Sequence, residues 1–410
     1  MIQFNGFEFT EGGVCAAKGF TASGIHSGIR KNKEKADLAL IRCEVPCNAG
    51  AIYTQNKVKG APLTVTRQNL KNGRAQAVIC NSGNANTCNA NGEAVARQMC
   101  EIAGEALGIP ADDIVVCSTG VIGLPLPIEP IRDHIKPLKD SLSADGSIRA
   151  AQAIMTTDTF PKEVAVSFTL GGKTCHIGGI AKGSGMIHPN MATMLCFLTT
   201  DAAIESEWLQ KAIKKVADLT FNMISIDGDT STNDMVAVLA SGLAGNPVID
   251  RENDDYELFL NALYAVMMNL SRELARDGEG ATKLLECAVN GAPDETTAKK
   301  VAKSVITSSL FKAAMFGADA NWGRILCAVG YTDAEFNIDR IAVHLASAKG
   351  SIQVCENGAG VPVDEEKAKE ILLEDEIKII IDLGYGKGSA MAWGCDLTYD
   401  YVKINGDYRT

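Results

Sequence analysis

Aromatic residues make up only 6% of this chain, and charged residues are held to 22%, against 46% hydrophobic residues over 410 positions. That balance excludes a disordered or fibrous protein and leaves enough apolar material for a large buried core. A surplus of basic charge is also missing. The formal net charge is -11, so nucleic acid and anionic membrane are not expected as partners, because both would repel an acidic surface. The opening stretch from Met1 to Phe9 has no basic segment followed by an apolar one, and no later apolar run approaches a membrane span. The expected location is the cytoplasm.

Several signatures of bound groups are absent. The 13 cysteines are odd in number and scattered, with no CxxC pair, and Cys43 and Cys47 have no histidine nearby. Cys80, Cys100, Cys196 and Cys327 lie in apolar stretches, as buried thiols do, so neither a disulfide framework nor a metal site is expected. Gly178 to Ser184 lacks the spacing of a phosphate-binding loop, and Gly183-Ser184-Gly185 lacks the third glycine of a dinucleotide loop. There is no Gly-x-Ser-x-Gly elbow, and His26, His134, His176, His188 and His344 show no ligand spacing. The acidic, hydroxyl-rich run from Ser225 to Asp234 lacks the closing glutamate of a calcium loop.

What is present reads as an α/β protein of two or more domains, with 39 glycines implying many tight turns. Ala36 to Val45 and Ala51 to Tyr53 are expected strands, closed by Ala61-Pro62, and Ala75 to Cys80 is another, running into the amide-rich turn Asn81 to Gly92. Val95, Met99, Ile102, Ala103, Ala106 and Leu107 recur at helical spacing, with a stop at Gly108 and Pro110. Ile114 to Cys117 predicts a buried strand that breaks into Ser118-Thr119-Gly120. A hydroxyl beside an unobstructed glycine amide is what an oxyanion hole requires, although a strand-ending turn fits the same three residues.

A helix is expected to end near Ile154, and Val164 to Leu170 to form a strand. Further helices are expected over Ile204 to Phe221, Tyr256 to Ala275 and Thr296 to Met315, and extended segments over Met194 to Leu198 and Ile377 to Asp382. Glu279, flanked by glycines, reads either as an accessible carboxylate for an amine or as a solvated acid after a helix. The segment from Lys182 to Asp201 carries Gly-Ser-Gly, then His188-Pro189, then Ala192-Thr193 before the apolar run. Thr193 could attack the carbonyl of Ala192 and become a new chain start. Its freed α-amine, with a pKa of about 7.7–8.0, would then serve as base. A loop before a buried strand accounts for the same residues. His188, placed before a proline, suits a positional role better than that of a base.

Eight blocks in order carry a resemblance over the whole chain: Asn81 to Asn86, Ser118 to Gly123, Thr156 to Asp158, Lys182 to Leu195, Asp227 to Asp234, Asp277 to Lys283, Asn321 to Arg324, and Asp396 to Thr410. Together they resemble the ornithine acetyltransferase (glutamate N-acetyltransferase) family of arginine biosynthesis. Lys59-Gly60 and Ala320 depart from the family pattern, at positions with no proposed catalytic role.

The resemblance implies a layered αββα sandwich of the ornithine acetyltransferase or DmpA-like kind, plus a smaller α/β C-terminal domain. It implies cleavage between Ala192 and Thr193 into an α fragment, 1–192, and a β fragment, 193–410, with a C-terminal region from about 245. Thr193 is the implied nucleophile, Thr119 and Gly120 the oxyanion hole, and Thr156, Lys182, Thr193, Glu279, Asn405 and Thr410 the substrate contacts, with Thr157 an alternative to Thr156. The implied substrates are N-acetylornithine and glutamate, with ping-pong transfer, no metal and no cofactor. Whether acetyl-CoA also serves as donor stays open. A heterotetramer of two α and two β fragments is implied. The alternative reading is an N-terminal-nucleophile aminopeptidase of related fold.

Overall fold

The computed structural model describes residues 2, 6–188 and 194–406. The chain opens with β1 (Glu8–Thr10), β2 (Phe20–Ile25), β3 (Leu38–Tyr53), α1 (Ala61–Asn69), β4 (Arg74–Asn81), α2 (Gly92–Leu107) and β5 (Ile114–Ser118). Next come α3 (Glu129–Asp140), α4 (Ser147–Ile154), β6 (Lys162–Leu170), β7 (Lys173–Lys182), β8 (Leu195–Thr200) and α5 (Ser206–Ala217). After the short β9 (Ile224–Ser225) the chain forms β10 (Met235–Ala240) and the long α6 (Asp254–Arg276). It is a mixed α/β fold with two sheets, divided into two compact units. One comprises Met1–Gly183, Asn190–Asn222 and Thr230–Leu270; the other comprises Ser184–Pro189, Met223–Asp229 and Ser271–Thr410. The boundary between Leu270 and Ser271 falls within α6.

The first unit holds a nine-stranded sheet in the order β1-β6-β7-β8-β10-β3-β4-β5, with β2 also paired to β3. Alternation along β4 and β5, at one end of this order, explains why their sequences are almost uninterruptedly apolar. Val78 and Cys80 of β4, with Val115 and Cys117 of β5, face a core that includes Ala150, Ala153 and Ile154 of α4. Ala77, Ile79, Ile114 and Val116 face the opposite core, built with Val95, Met99 and Ala103 of α2 and Ile131 and Leu138 of α3. A strand covered on both faces needs apolar side chains at every position. The two segments expected between residues 36 and 53 are one strand, β3, whose register against β4 shifts between Arg42 and Cys47. Ala61-Pro62 does not close a strand; the proline occupies the first turn of α1, where its missing N–H costs nothing.

The second unit adds β11 (Leu284–Ala292), α7 (Glu295–Thr307), α8 (Ser309–Phe316), α9 (Trp322–Gly330), β12 (Ala342–Ser347), β13 (Gly350–Glu356) and β14 (Ala359–Gly360). It ends with α10 (Glu365–Leu372), β15 (Glu376–Asp382), β16 (Gly388–Cys395) and α11 (Tyr399–Gly406). Its seven strands are ordered β14-β13-β12-β15-β11-β16-β9. The single helix expected over Thr296 to Met315 is two, α7 and α8. Ser308 takes an extended conformation and its hydroxyl accepts from Phe311 N–H at 3.3 Å, capping the second helix. Another correction concerns Cys327, which is exposed on α9, whereas Cys80, Cys100 and Cys196 are buried as expected. No described helix is long and apolar enough to cross a membrane.

Candidate active site

The amide-rich turn after β4 is held by its own side chains, which explains its composition. Asn81 Nδ2 donates to the Asn84 carbonyl at 3.0 Å, and its Oδ1 accepts from Ser118 Oγ at 2.6 Å. Asn84 Nδ2 donates to the Leu124 and Pro125 carbonyls, both at 3.1 Å. Asn233, just before β10, donates to the Ala85 carbonyl at 2.6 Å and the Ser118 carbonyl at 3.0 Å, while its Oδ1 accepts from Thr87 Oγ1. Short amides suit such turns because they satisfy backbone groups that have left the strand ladder.

This scaffold fixes Thr119 and Gly120. Thr119 N–H donates to the Asn81 carbonyl at 3.0 Å, and Gly120 takes a φ of 132°. A Cβ at Gly120 would collide with the Gly83 backbone, so only glycine fits. Among the described residues none accepts a hydrogen bond from the Gly120 N–H or the Thr119 hydroxyl. Both are donors left unspent by the fold at the end of a buried strand.

Lys182 is the last residue of β7, paired in register with Leu195, the first residue of β8. It is 8% exposed, and no described residue accepts a hydrogen bond from its ammonium. Burial pulls its pKa below the usual lysine range, with the charge of Asp158 opposing. Asp158 is buried and fully engaged. One oxygen accepts from Lys162 Nζ at 2.8 Å and Gly183 N–H at 2.7 Å; the other accepts from Thr156 N–H at 2.9 Å. Burial would raise its pKa, but the ammonium groups of Lys182 and Lys162 and these hydrogen bonds outweigh that and hold it below the usual carboxylate range. Thr156 is therefore tied by its backbone to the carboxylate that also fixes the residue after Lys182.

Asp234 has the opposite character. It is buried beside β10, and burial pushes its carboxyl well above the usual range despite the charge of Lys182. Its Oδ2 has no hydrogen-bond partner among the described residues. Met235, which follows it, pairs with Leu195 and donates to the Met194 carbonyl at 2.9 Å. Ala192 and Thr193, which immediately precede Met194, lie outside the described residues, as does Thr410.

In the second unit Glu279 and Asn405 meet. Asn405 Nδ2 donates to Glu279 Oε2 at 2.8 Å. Glu279 is not the open carboxylate expected between glycines. It is 7% exposed because Gly185 packs directly on its carboxyl group and its backbone N–H donates to the Ser184 carbonyl. The run from Ser184 to His188 is itself pinned: Ser184 Oγ donates to the Asp277 carbonyl at 2.6 Å, and Met186 and Ile187 donate their N–H groups to Asp227 at 2.5 Å and 2.9 Å. His188 Nδ1 lies 3.1 Å from Ser225 Oγ, and burial, with Lys303 nearby, pushes its pKa down to about 4. A neutral, hydrogen-bonded ring fits the positional role read from its place before proline.

Sequence patterns assign no individual role to Asp158, Lys162, Asn233 or Asp234, although Asp158, Asn233 and Asp234 lie inside the blocks that carry the resemblance. Their burial, which makes them informative, follows from strand pairing across residues distant in sequence.

Within one unit of an α/β protein, the strand-end donors at Thr119 and Gly120 and the buried Lys182 are groups that no described residue engages by a hydrogen bond. The ArgJ family model matches residues 21–410. A protein of Caldanaerobacter subterraneus subsp. tengcongensis, "Arginine biosynthesis bifunctional protein ArgJ", is 50% identical over 404 residues, covering 98% of this chain and 100% of the relative. The protein of the same name from Symbiobacterium thermophilum is 51% identical over 405 residues, covering 98% and 100%. A crystal structure of the Bacillus halodurans protein of that name matches with 46% identity and a TM-score of 0.48, covering 51% of this chain and 96% of that one. This chain belongs to the ArgJ family, and the expectation of an acyltransferase enzyme stands with that membership.

Proposed function

We propose that the chain moves the acetyl group of N2-acetyl-L-ornithine to L-glutamate through an acetyl ester on Thr193, after cutting itself between Ala192 and Thr193. The observation that carries this reading is the pair of donors at Thr119 and Gly120, which the fold positions and does not consume. Thr193 Oγ attacks the acetyl carbonyl while its α-amine takes the hydroxyl proton, and the oxyanion is held by Thr119 and Gly120. The amine returns the proton to the leaving nitrogen of ornithine. Glutamate then enters and takes the acetyl group by the reverse sequence, giving ping-pong kinetics. Lys182 and Thr156 hold the substrate near the reacting carbonyl, and Glu279, steadied by Asn405, meets the ornithine ammonium, with the terminal carboxylate of Thr410 as a further contact.

Relatives named bifunctional favour a second activity, acetylation of glutamate with acetyl-CoA as a substrate. In this reading neither activity uses a resident cofactor or metal. The working form is a heterotetramer of fragments 1–192 and 193–410, two of each, in the cytoplasm.

Intact mass and N-terminal sequencing of purified protein test the mechanism, beside Thr193→Ala. The expected result is two associated fragments, the second starting at Thr193, and one inactive uncut chain for the variant. A wild-type chain that stays whole yet transfers acetyl groups overturns it. Hydrolysis of peptides with no need for an amine acceptor would instead assign the aminopeptidase reaction.

A further inference from the structure

We propose that a cleft beside the end of β3 binds a phosphate dianion, held by Arg67 and Lys71. The cleft lies wholly within the first unit. Its origin is a gap in strand pairing. β4 accompanies β3 only as far as Asn48, which pairs with Arg74. From Ala49 to Tyr53, β3 keeps β10 on one side and, among the described residues, has no strand on the other. The open edge is satisfied by other means. Ala49 N–H donates to the Gly73 carbonyl at 2.7 Å, and the Gln210 side chain accepts from Ala51 N–H at 2.9 Å and donates to the Ala51 carbonyl at 3.1 Å. Between this edge, the end of α1 and the start of α5 there remains a cavity of about 330 Å³. That volume is at the lower end of the range for small-molecule sites.

The polar groups that line the cleft divide into spent and unspent. Gln210 is committed to Ala51, and Asn72 Oδ1 accepts from Arg74 N–H at 2.9 Å. Glu207, the one carboxylate lining the cleft, pairs with Lys211 at 2.8 Å. Arg67 and Lys71, by contrast, form no ion pair or hydrogen bond among the described residues. The Arg67 guanidinium lies 4.8 Å from the centre of the Tyr53 ring, a contact that orients it without neutralising it. Ser206 Oγ is also without a hydrogen bond and packs on Gly73, where an added methyl would sit 2.5 Å from it. Two cations without a counter-charge, on a chain of net charge -11, call for a dianion. A carboxylate carries a single charge. A phosphate monoester carries about 1.5 to 2 at neutral pH and offers three acceptor oxygens, enough for a guanidinium fork, an ammonium and a hydroxyl. Two sources carry this chemistry: inorganic phosphate, and the 3′-phosphate of CoA, the acyl carrier of the second activity proposed above. Strand order suits the second source, because Tyr53 pairs with Met235 and Met235 with Leu195, so that Tyr53 lies about 10 Å across the sheet from the start of β8. Only that source rests on the acetyl-CoA reading.

Calorimetry on the full-length protein, with ionic strength fixed by potassium chloride, tests the proposal with inorganic phosphate, CoA and 3′-dephospho-CoA. Wild type is expected to bind phosphate, and Arg67→Gln to weaken that binding roughly 10- to 100-fold, as for loss of a hydrogen bond between charged groups. Lys71→Gln should weaken it too. Both side chains are exposed, so neither substitution disturbs the core. Lys214→Gln, which removes an exposed lysine of α5 outside the cleft, should leave affinity within about twofold, because salt screens a distant surface charge. Tighter binding of CoA than of dephospho-CoA, with that preference lost in Arg67→Gln, assigns the coenzyme. Equal binding of the two, with phosphate still weakened by Arg67→Gln, assigns the free anion; either result supports the site. No binding of phosphate or CoA to wild type, unchanged binding in both cleft variants, or an equal loss in Lys214→Gln overturns it. Acetylation of glutamate from acetyl-CoA, followed on the same wild-type sample, separates the two readings. Its absence removes that activity and leaves a phosphate site that Arg67→Gln still weakens, whereas activity beside unchanged binding in the cleft variants removes the site alone.

Discussion

Asp158 and Lys162 form an ion pair at 2.8 Å in which both side chains are fully buried, and the same carboxylate oxygen receives the Gly183 N–H. Asp158→Asn keeps the shape but removes the buried charge that faces the Lys162 ammonium. Such a change costs about 3–5 kcal/mol. A clear fall in the thermal midpoint is expected. The pH dependence has a definite sign: the folded pKa of Asp158 is depressed, so its stabilisation is complete above the unfolded value of about 3.9 and is lost as pH falls below it. The wild-type advantage over Asp158→Asn should therefore shrink on acidification. An advantage that grew instead would contradict an ionised Asp158.

Asp234 carries the reverse linkage. Its folded pKa is raised, so the stability associated with its protonated form is present below the unfolded value and lost as pH rises through the folded one. Asparagine does not titrate. Thermal midpoints of wild type and Asp234→Asn, compared between about pH 5 and about pH 9, should shift in the variant's favour toward the alkaline end. A constant difference would mean that Asp234 is ionised in the folded protein over that range, as it is in the unfolded chain.

The Thr119 hydroxyl and the Gly120 amide differ in what mutation can remove. Thr119→Ala deletes one donor and should lower kcat about 100- to 1000-fold with a much smaller change in KM, as for loss of one oxyanion-hole donor. Thr119→Ser retains the hydroxyl and should recover most of the rate. If Thr119→Ala altered only KM, the residue would be a substrate contact and not a stabiliser of the oxyanion. At Gly120 any side chain meets the Gly83 backbone at a φ of 132°, so Gly120→Ala should lower the thermal midpoint as well as the rate.

Much of the fold near the site could be read from pattern. The apolar runs at 75–80 and 114–117 are strands, and the turns after them are where their asparagines, glycines and hydroxyls place them. Length and periodicity also find α6, expected over Tyr256 to Ala275 and observed over Asp254–Arg276. Local patterns fail where a distant partner decides. Near residue 308 only the hydroxyl run Thr307-Ser308-Ser309 hints at a helix break, and Ser308 acts through a cap formed only once the chain has turned. The glycines beside Glu279 suggest exposure, yet Gly185, ninety-four positions earlier, uses its missing side chain to press on the carboxyl group. β16 has too many small residues for a strand pattern and is secured by pairing with β11. Arg67 and Asp234 gain meaning only from neighbours that strand order and loop packing supply.

Glu279 and Asn405, 126 residues apart, test whether such a distant pairing carries energy. Asn405→Ala removes the donor and leaves a mostly buried Glu279 carboxylate with one partner fewer; Glu279→Gln removes the charge while preserving the shape. If the hydrogen bond at 2.8 Å is formed in solution, the two changes cannot be additive. A double-mutant cycle on thermal or denaturant stability should give a coupling of about 0.5–3 kcal/mol, the range for residues in direct contact. The same four proteins report on ligand binding. Glu279→Gln should weaken L-ornithine more than L-glutamate, because only ornithine presents a side-chain ammonium to the lost charge, whereas Asn405→Ala should weaken it less, because the carboxylate remains. Additive stabilities would show that the pair does not form. Equal weakening of both amino acids by Glu279→Gln would remove Glu279 from the recognition of ornithine.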